Sequence, residues 1–182
     1  MKKYQIIYAD PPWNVMRGCD WGSNGASNPL PYPTMTVGEL TALPIKDIAD
    51  TNAHLYLWVI NKYIRDAYDI AEAWGFKPSC LLTWCKVKHG IGLGGAFTQT
   101  TEHLLFCRKG SLEAQKRIDT TWWLAERKGH SQKPMMFMDM ILEVSGDVPR
   151  IELFSRRKAL GWDCWGNEVD SDIQLDNQLI KR

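Results

Sequence analysis

No run of apolar residues in this 182-residue sequence approaches the ~18 that a membrane-spanning helix requires. The start, Met1-Lys2-Lys3-Tyr4-Gln5, lacks the apolar stretch and small-residue cleavage site of a secretory signal, so a cytoplasmic protein is expected. Cysteine is sparse and odd in number: Cys19, Cys80, Cys85, Cys107 and Cys164 form no C-x-x-C pair, which argues for reduced thiols rather than a disulfide framework. Histidine is sparser still. His54, His89, His103 and His130 do not complete a metal-ligand spacing with the cysteines, and no metal is expected. Internal repeats are absent, and so is an overall charge bias, since 22 basic residues face 21 acidic ones.

What is present is an ordinary globular composition, 45% hydrophobic and 24% charged, with enough chain for one self-sufficient core. The charge is uneven along the chain. Residues 1–82 carry a net −1, residues 83–162 a net +5, and residues 163–182 a net −3. A basic middle suits an anionic partner such as nucleic acid, and equally a solvated mixed surface. Nine tryptophans stand out, as core fillers or as platforms for a stacked base.

Residues 4–9 form a short apolar run stopped by Asp10-Pro11-Pro12, which predicts a buried strand. Residues 14–34 read as a long Gly/Pro-rich loop, and Thr36-Val-Gly-Glu39 has capping-box spacing that opens a short helix. Further strands are predicted over 53–60, 78–86, 102–108 and 150–154. Ile64, Ala67, Ala71 and Trp74 place a helix over 62–74, with Gly75 as its stop. A glycine-rich loop starts at Gly90, and residues 110–130 are polar without pattern. Ser131 is the expected cap of a Met-rich helix to about Val144, with Pro134 in its first turn. Strands alternating with helices imply an α/β fold with a mostly parallel sheet covered on both faces. Ligands in such sheets sit at the carboxyl ends of strands, where Asp10 and the residues after Phe154 both fall. Residues 1–169 are expected to form one domain, and residues 170–182 a loose polar tail.

Asp10-Pro11-Pro12-Trp13 is the sharpest chemical feature. Two prolines remove two N–H donors and hold the chain extended, leaving the Asp10 and Pro11 carbonyls and the Asp10 carboxylate as acceptors beside an aromatic ring. Such a set suits the exocyclic amino group of a planar base. A strand-ending turn with a core tryptophan has the same sequence.

With its surroundings, Tyr8-Ala-Asp-Pro-Pro-Trp13 resembles the catalytic motif of adenine-N6 methyltransferases, and the chain resembles the MT-A70 family over about residues 4–169. The likeness continues through Pro31-Tyr-Pro-Thr-Met35, Leu57-Trp-Val59, Trp74-Gly-Phe76, Trp84-x-Lys86 and Glu102-His-Leu104. It ends with Gly129-His-Ser-Gln-Lys-Pro134, Ile151-Glu-Leu-Phe-Ser-Arg156 and Gly161-Trp-Asp-Cys-Trp-Gly-Asn-Glu168. The resemblance implies a Rossmann-like, S-adenosylmethionine-dependent methyltransferase sheet in permuted order, catalytic strand first. It implies catalytic roles for Asp10, Pro11, Pro12 and Trp13. It implies cofactor contacts from Asp10, Lys133 (to the carboxylate), Phe154 (to the adenine), Arg156 (to the ribose), Asn167 and Glu168. Substrate contacts would come from Trp13 and Tyr32, which would sandwich the base, and from Lys86, Lys88, His89, Arg108 and Lys109 on phosphates.

Larger members carry cofactor contacts upstream of the motif, whereas nine residues precede Asp10 here. They also carry RNA-reading domains without a counterpart here, which favours DNA over RNA. The expected activity is transfer of a methyl group to adenine N6 in DNA. The alternatives are an RNA adenine-N6 methyltransferase and a non-catalytic nucleic-acid-binding scaffold subunit. A homodimer would give so small a domain more surface for DNA.

Overall fold

The computed structural model describes residues 2–14, 33–87, 96–127 and 132–175. Among these residues, seven strands form one sheet: β1 (Tyr4–Ala9), β2 (Ala49–Val59), β3 (Lys77–Val87), β4 (Thr101–Lys109), β5 (Trp122–Glu126), β6 (Arg150–Leu153) and β7 (Asp163–Trp165). Their order is β5-β3-β4-β2-β1-β6-β7. Four pairings are parallel. The expected mostly parallel sheet is mixed because β4 runs antiparallel to both of its neighbours, β2 and β3. β1 is apolar nearly throughout because it lies inside the sheet with helices on both sides, so neither face meets water.

Alternation along the strands divides the core in two. Ile7 and Ala9 of β1, with Leu55 and Leu57 of β2, face helices α1 (Val37–Thr41) and α2 (Ile64–Ala73). Ile6, Tyr8, Tyr56 and Trp58 face α3 (Met136–Ser145), which contributes Phe137, Met138, Met140 and Ile141. Helix α1 begins with the capping box anticipated at Thr36 and Glu39. Helix α2 buries Ala67, Ile70 and Ala71, and Trp74 behind them donates its indole N–H to the Leu40 carbonyl at 2.9 Å. Gly75 follows at φ +86°, a turn an L-residue resists.

Three expectations are corrected. Helix α3 starts at Met136 with Met135 as its cap residue, so Pro134 precedes it rather than filling its first turn. Ser131, the expected cap, lies outside the described residues, as do most of the loops assigned to 14–34 and 90–100. Strands β5 and β7 lie in segments where the sequence carries no strand pattern. β5 is an edge strand with an in–out pattern of only five residues, and β7 has three. The tail expected to be loose from Asp170 packs back over its first part. The Asp172 N–H bonds the Cys164 carbonyl at 2.8 Å, and Leu175 is buried against the core. Among the described residues no helix is long and apolar enough to cross a membrane.

Candidate active site

The carboxyl ends of β1 and β6 lie side by side, since Ala9 pairs with Leu153 and the Asp10 N–H reaches the Leu153 carbonyl at 3.4 Å. Residues that follow two distant strands therefore meet in one place. A cleft of about 260 Å³ opens there on the α3 side, lined among others by Tyr8, Asp10, Lys133, Glu152, Phe154 and Arg156. It is lined by both signs of charge around an aromatic ring.

Lys133 Nζ holds both Asp10 carboxylate oxygens, at 2.8 and 2.7 Å. The same ammonium lies 3.3 Å from Glu102 Oε2 of β4 and 5.3 Å from the centre of the Trp58 ring. Glu102 Oε1 is bonded by Lys86 of β3. Four charges of alternating sign, Asp10, Lys133, Glu102 and Lys86, thus cross the carboxyl edge of the sheet. All four side chains are largely buried, Lys86 being only 10% exposed. Burial lifts the Asp10 carboxyl above its usual range, against the opposing pull of Lys133. Burial alone would depress the Lys133 ammonium, but its two carboxylate partners outweigh burial and hold it protonated. Glu102 is also penalised by burial, yet its two lysines bring it below the normal carboxylate range. Removing Lys133 would leave Asp10 unpaired, and removing Glu102 would leave Lys86 unpaired, which in buried pairs costs about 3–5 kcal/mol.

Phe154 turns the chain out of β6 at φ +61°, a conformation that non-glycine residues adopt at a cost and that persists where surroundings impose it. Those surroundings are β7. The Ser155 N–H bonds the Trp165 carbonyl at 3.0 Å, Trp165 meets Phe154 edge-on at 5.4 Å, and Gly166 packs directly on the Phe154–Ser155 backbone. The turn presents Phe154 and Arg156 to the cleft, and Arg156 pairs with Glu168 at 3.5 Å. Burial also raises the Glu152 carboxyl, whose Oε2 lies 3.1 Å from Ser155 Oγ.

Of the residues singled out from the sequence, Asp10, Lys133, Phe154 and Arg156 converge on the cleft. Glu168 joins through Arg156, while Asn167 is exposed and outside the cleft lining. Pro11 and Pro12 hold the turn beside it, and each carbonyl accepts one backbone hydrogen bond, which leaves it a second lone pair. Pro11 accepts from the Trp13 N–H at 2.8 Å and Pro12 from the Met35 N–H at 2.9 Å. Trp13 is not an open platform either. Its ring is 5% exposed, stacks on Tyr63 at 5.0 Å, and donates its indole N–H to the Trp58 carbonyl at 3.0 Å. Burying so large a ring with its N–H satisfied makes Trp13 a wedge that fixes the turn after Asp10. Lys86 is corrected as a phosphate contact, because Glu102 and the face of Trp84 occupy it. Arg108 and Lys109 lie at the other end of β4, about 20 Å from Glu102 at ~3.3 Å per residue, where Arg108 stands opposite His54 in the middle of β2. Tyr32, Lys88 and His89 lie outside the described residues. Glu102 and Glu152 received no role from the sequence. Each stood inside a segment already noted for its order of residues, which was the available signal.

A model of the MT-A70 family matches residues 4–168. The chain belongs to the MT-A70 family. It is 29% identical to the type II methyltransferase M.MunI of a Mycoplasma species, over 97% of this chain and 83% of that one. It is 28% identical to a putative N(6)-adenosine-methyltransferase MT-A70-like protein of Medicago truncatula, over 99% of this chain and 29% of that one. It is 22% identical to the human N(6)-adenine-specific methyltransferase METTL4, over 92% of this chain and 38% of that one. The chain thus spans most of the bacterial relative and well under half of the other two. As an MT-A70 protein it is a methyltransferase, of a family that in general uses S-adenosylmethionine. The family match covers all seven strands, the Asp10–Lys133 pair and the Phe154 turn.

Proposed function

We propose that this protein methylates the N6 amino group of adenine in DNA, with Asp10 as the central acceptor. The observation that carries the reading is the Asp10 carboxylate, placed by β1 in the wall of the cleft that Lys133, Phe154 and Arg156 also line. The reading takes residues 1–169 as one catalytic domain in permuted order, the catalytic strand first, followed by residues 170–182.

The residues of the cleft suit S-adenosylmethionine. Asp10 and Glu152 offer carboxyl groups to a cationic centre, Lys133 and Arg156 offer cations to a carboxylate and hydroxyls, and Phe154 offers a ring to an adenine. Asn167 and Glu168 would complete the ribose side from the β7 turn, Glu168 through its pairing with Arg156. When bound, this cofactor supplies an electrophilic methyl on a sulfonium that leaves as a neutral thioether.

Asp10 performs two tasks. The lone pair of adenine N6 is conjugated into the ring, and an N6–H donated to the carboxylate draws that pair back toward nitrogen. Positive charge then grows on nitrogen, and a preorganised carboxylate stabilises it more in the transition state than in the ground state. Asp10 or water takes the single proton that the methylated nitrogen sheds. Pro11, Pro12 and Trp13 act by fixing the acceptor in place, a positioning effect. Tyr32 and Lys88 remain our candidates for holding the base and its flanking phosphate. In duplex DNA the base must leave the stack, at a cost of about a few kcal/mol.

DNA is favoured because the type II methyltransferase is matched over most of both chains. An intact, ion-paired Asp10 argues against a non-catalytic scaffold. The test is methyl transfer from labelled S-adenosylmethionine to duplex DNA, single-stranded DNA and single-stranded RNA, with the product nucleosides identified. N6-methyldeoxyadenosine is expected. Methyl on RNA alone moves the activity to the RNA reading, and an Asp10→Ala variant with normal turnover would sink the assignment. The homodimer is checked by light scattering with and without DNA.

A further inference from the structure

Both oxygens of the Asp10 carboxylate are occupied by Lys133 Nζ. An amino group that donates to Asp10 uses the second lone pair of one of those oxygens and so comes to lie beside the ammonium. It also becomes positively charged during the reaction, next to an ammonium that is already positive. The arrangement that holds Asp10 therefore competes with its use, unless Lys133 has somewhere to go.

We propose that Glu102 is a positioning residue that draws Lys133 off Asp10 when the target amine arrives, and restores it afterwards. This rests on the N6-methylation reading above. Glu102 Oε2 already stands 3.3 Å from Lys133 Nζ, longer than the two contacts to Asp10, so a small displacement strengthens one pairing as it weakens the other. The acceptor is fixed. Glu102 lies on β4 opposite Trp84 of β3, and its second oxygen is held by Lys86, whose own ammonium rests 5.2 Å from the Trp84 ring centre. The mobile partner is Lys133, which lies outside any helix or strand, ahead of α3. The Trp58 ring, 5.3 Å away, offers the ammonium a face near both positions, and an ammonium has three donors to divide between them. The exchange moves no covalent bond. It transfers one ion pair from Asp10 to Glu102, which lowers like-charge repulsion in the transition state and leaves the Asp10 charge to the amine.

The test compares wild type, Glu102→Gln, Lys133→Met and the double variant. It uses single-turnover methyl transfer with enzyme in excess, on whichever nucleic acid the wild type methylates. S-adenosylhomocysteine affinity and melting temperature are measured on each. Glutamine keeps the shape and hydrogen-bonding reach of Glu102 but not its charge. Glu102→Gln is expected to lower the transfer rate at least tenfold while S-adenosylhomocysteine affinity stays within threefold. A fall in rate of less than threefold overturns the proposal, and so does a loss matched by an equal loss of affinity, which is the signature of a merely structural role. In the Lys133→Met background the same substitution should add less than twofold, and a full additional loss also overturns the proposal. If Lys133→Met leaves no measurable rate, the rate-against-affinity split of the single variant decides. A wild type that transfers methyl to no nucleic acid refutes the N6-methylation reading, an outcome distinct from each of these.

Discussion

Gly166→Ala tests whether the β7 turn shapes the cleft. A Cβ at position 166 would stand 2.2 Å from the Ser155 carbonyl oxygen and 2.8 Å from the Ser155 nitrogen. A carbon and a carbonyl oxygen rest at about 3.3–3.6 Å even in the close contacts of sheets, so the two segments must part by about 1 Å. Both contacts are backbone, and no side-chain rotation relieves them. The strand end that moves carries Phe154, already in a strained conformation, and Arg156, both of which line the cleft. A misplacement of ~1 Å can cost about a hundredfold where geometry matters. Forcing a methyl into packed structure costs about 1–3 kcal/mol, or ~2–4 °C of melting temperature per kcal/mol for a chain of this size. Titration with S-adenosylmethionine by calorimetry, alongside thermal melts, is the assay. Affinity should fall tenfold to a hundredfold while the protein remains folded. Affinity within twofold of wild type, at an unchanged melting temperature, would refute the claim that Gly166 holds the Phe154 turn against the cleft.

Other expectations separate stability from activity. Thr36→Ala removes the capping box of α1 and should cost about 1 kcal/mol by urea denaturation, with transfer rate unchanged, since α1 packs on the face away from the cleft. Ile7→Ala, at a fully buried position in β1, should cost about 2–5 kcal/mol, and a loss below 1 kcal/mol would mean the core there collapses readily. His54 lies buried with Nε2 3.1 Å from the Leu112 carbonyl, which can only accept, so Nε2 carries the proton and Nδ1 accepts from Ser145 Oγ at 2.8 Å. Burial holds its pKa below the usual histidine value, so in acid the unfolded chain binds a proton that the native state refuses. Stability should therefore be full above about pH 6.5 and decline as pH falls below it, and His54→Gln should flatten that decline. An unchanged slope in the variant would assign the effect to other groups.

The fold was legible where one physical signal dominated. Tyr4–Ala9 is an apolar run cut by two prolines, and α2 repeats its apolar residues with helical period, so both emerge from local pattern alone. β5 did not emerge because its five residues gain their order from pairing with β3, some forty positions away, and not from their own periodicity. The start of α3 was misplaced for a local reason. A serine with a proline three residues on is a common opening, but Pro134 disfavours the helical region for Lys133, and the first helical residue is Met136.

The site divides along the same line. Asp10, Lys133, Phe154 and Arg156 could be named from ordered motifs, yet the motifs were silent on which charge faces which. Lys133 and Asp10 are 123 residues apart, and Glu102 and Lys86 come from two further strands. Lys86 shows the consequence most clearly. A lysine in a basic stretch reads as a phosphate contact, and one carboxylate on the neighbouring strand turns it into a buried counter-ion. Trp13 shows it for aromatics, since the sequence offers a ring beside Asp10 while Tyr63 and the Trp58 carbonyl decide that it lies inward. Net charge and motif therefore locate this edge of the sheet, but the alternation of sign along it comes from the antiparallel insertion of β4. Because β4 runs opposite to β2 and β3, its amino-terminal end, and with it Glu102, is brought to the edge where the other strands present their carboxyl ends. Run parallel, β4 would bring Arg108 and Lys109 there instead, and the edge would carry Lys133 and Lys86 with no acid between them.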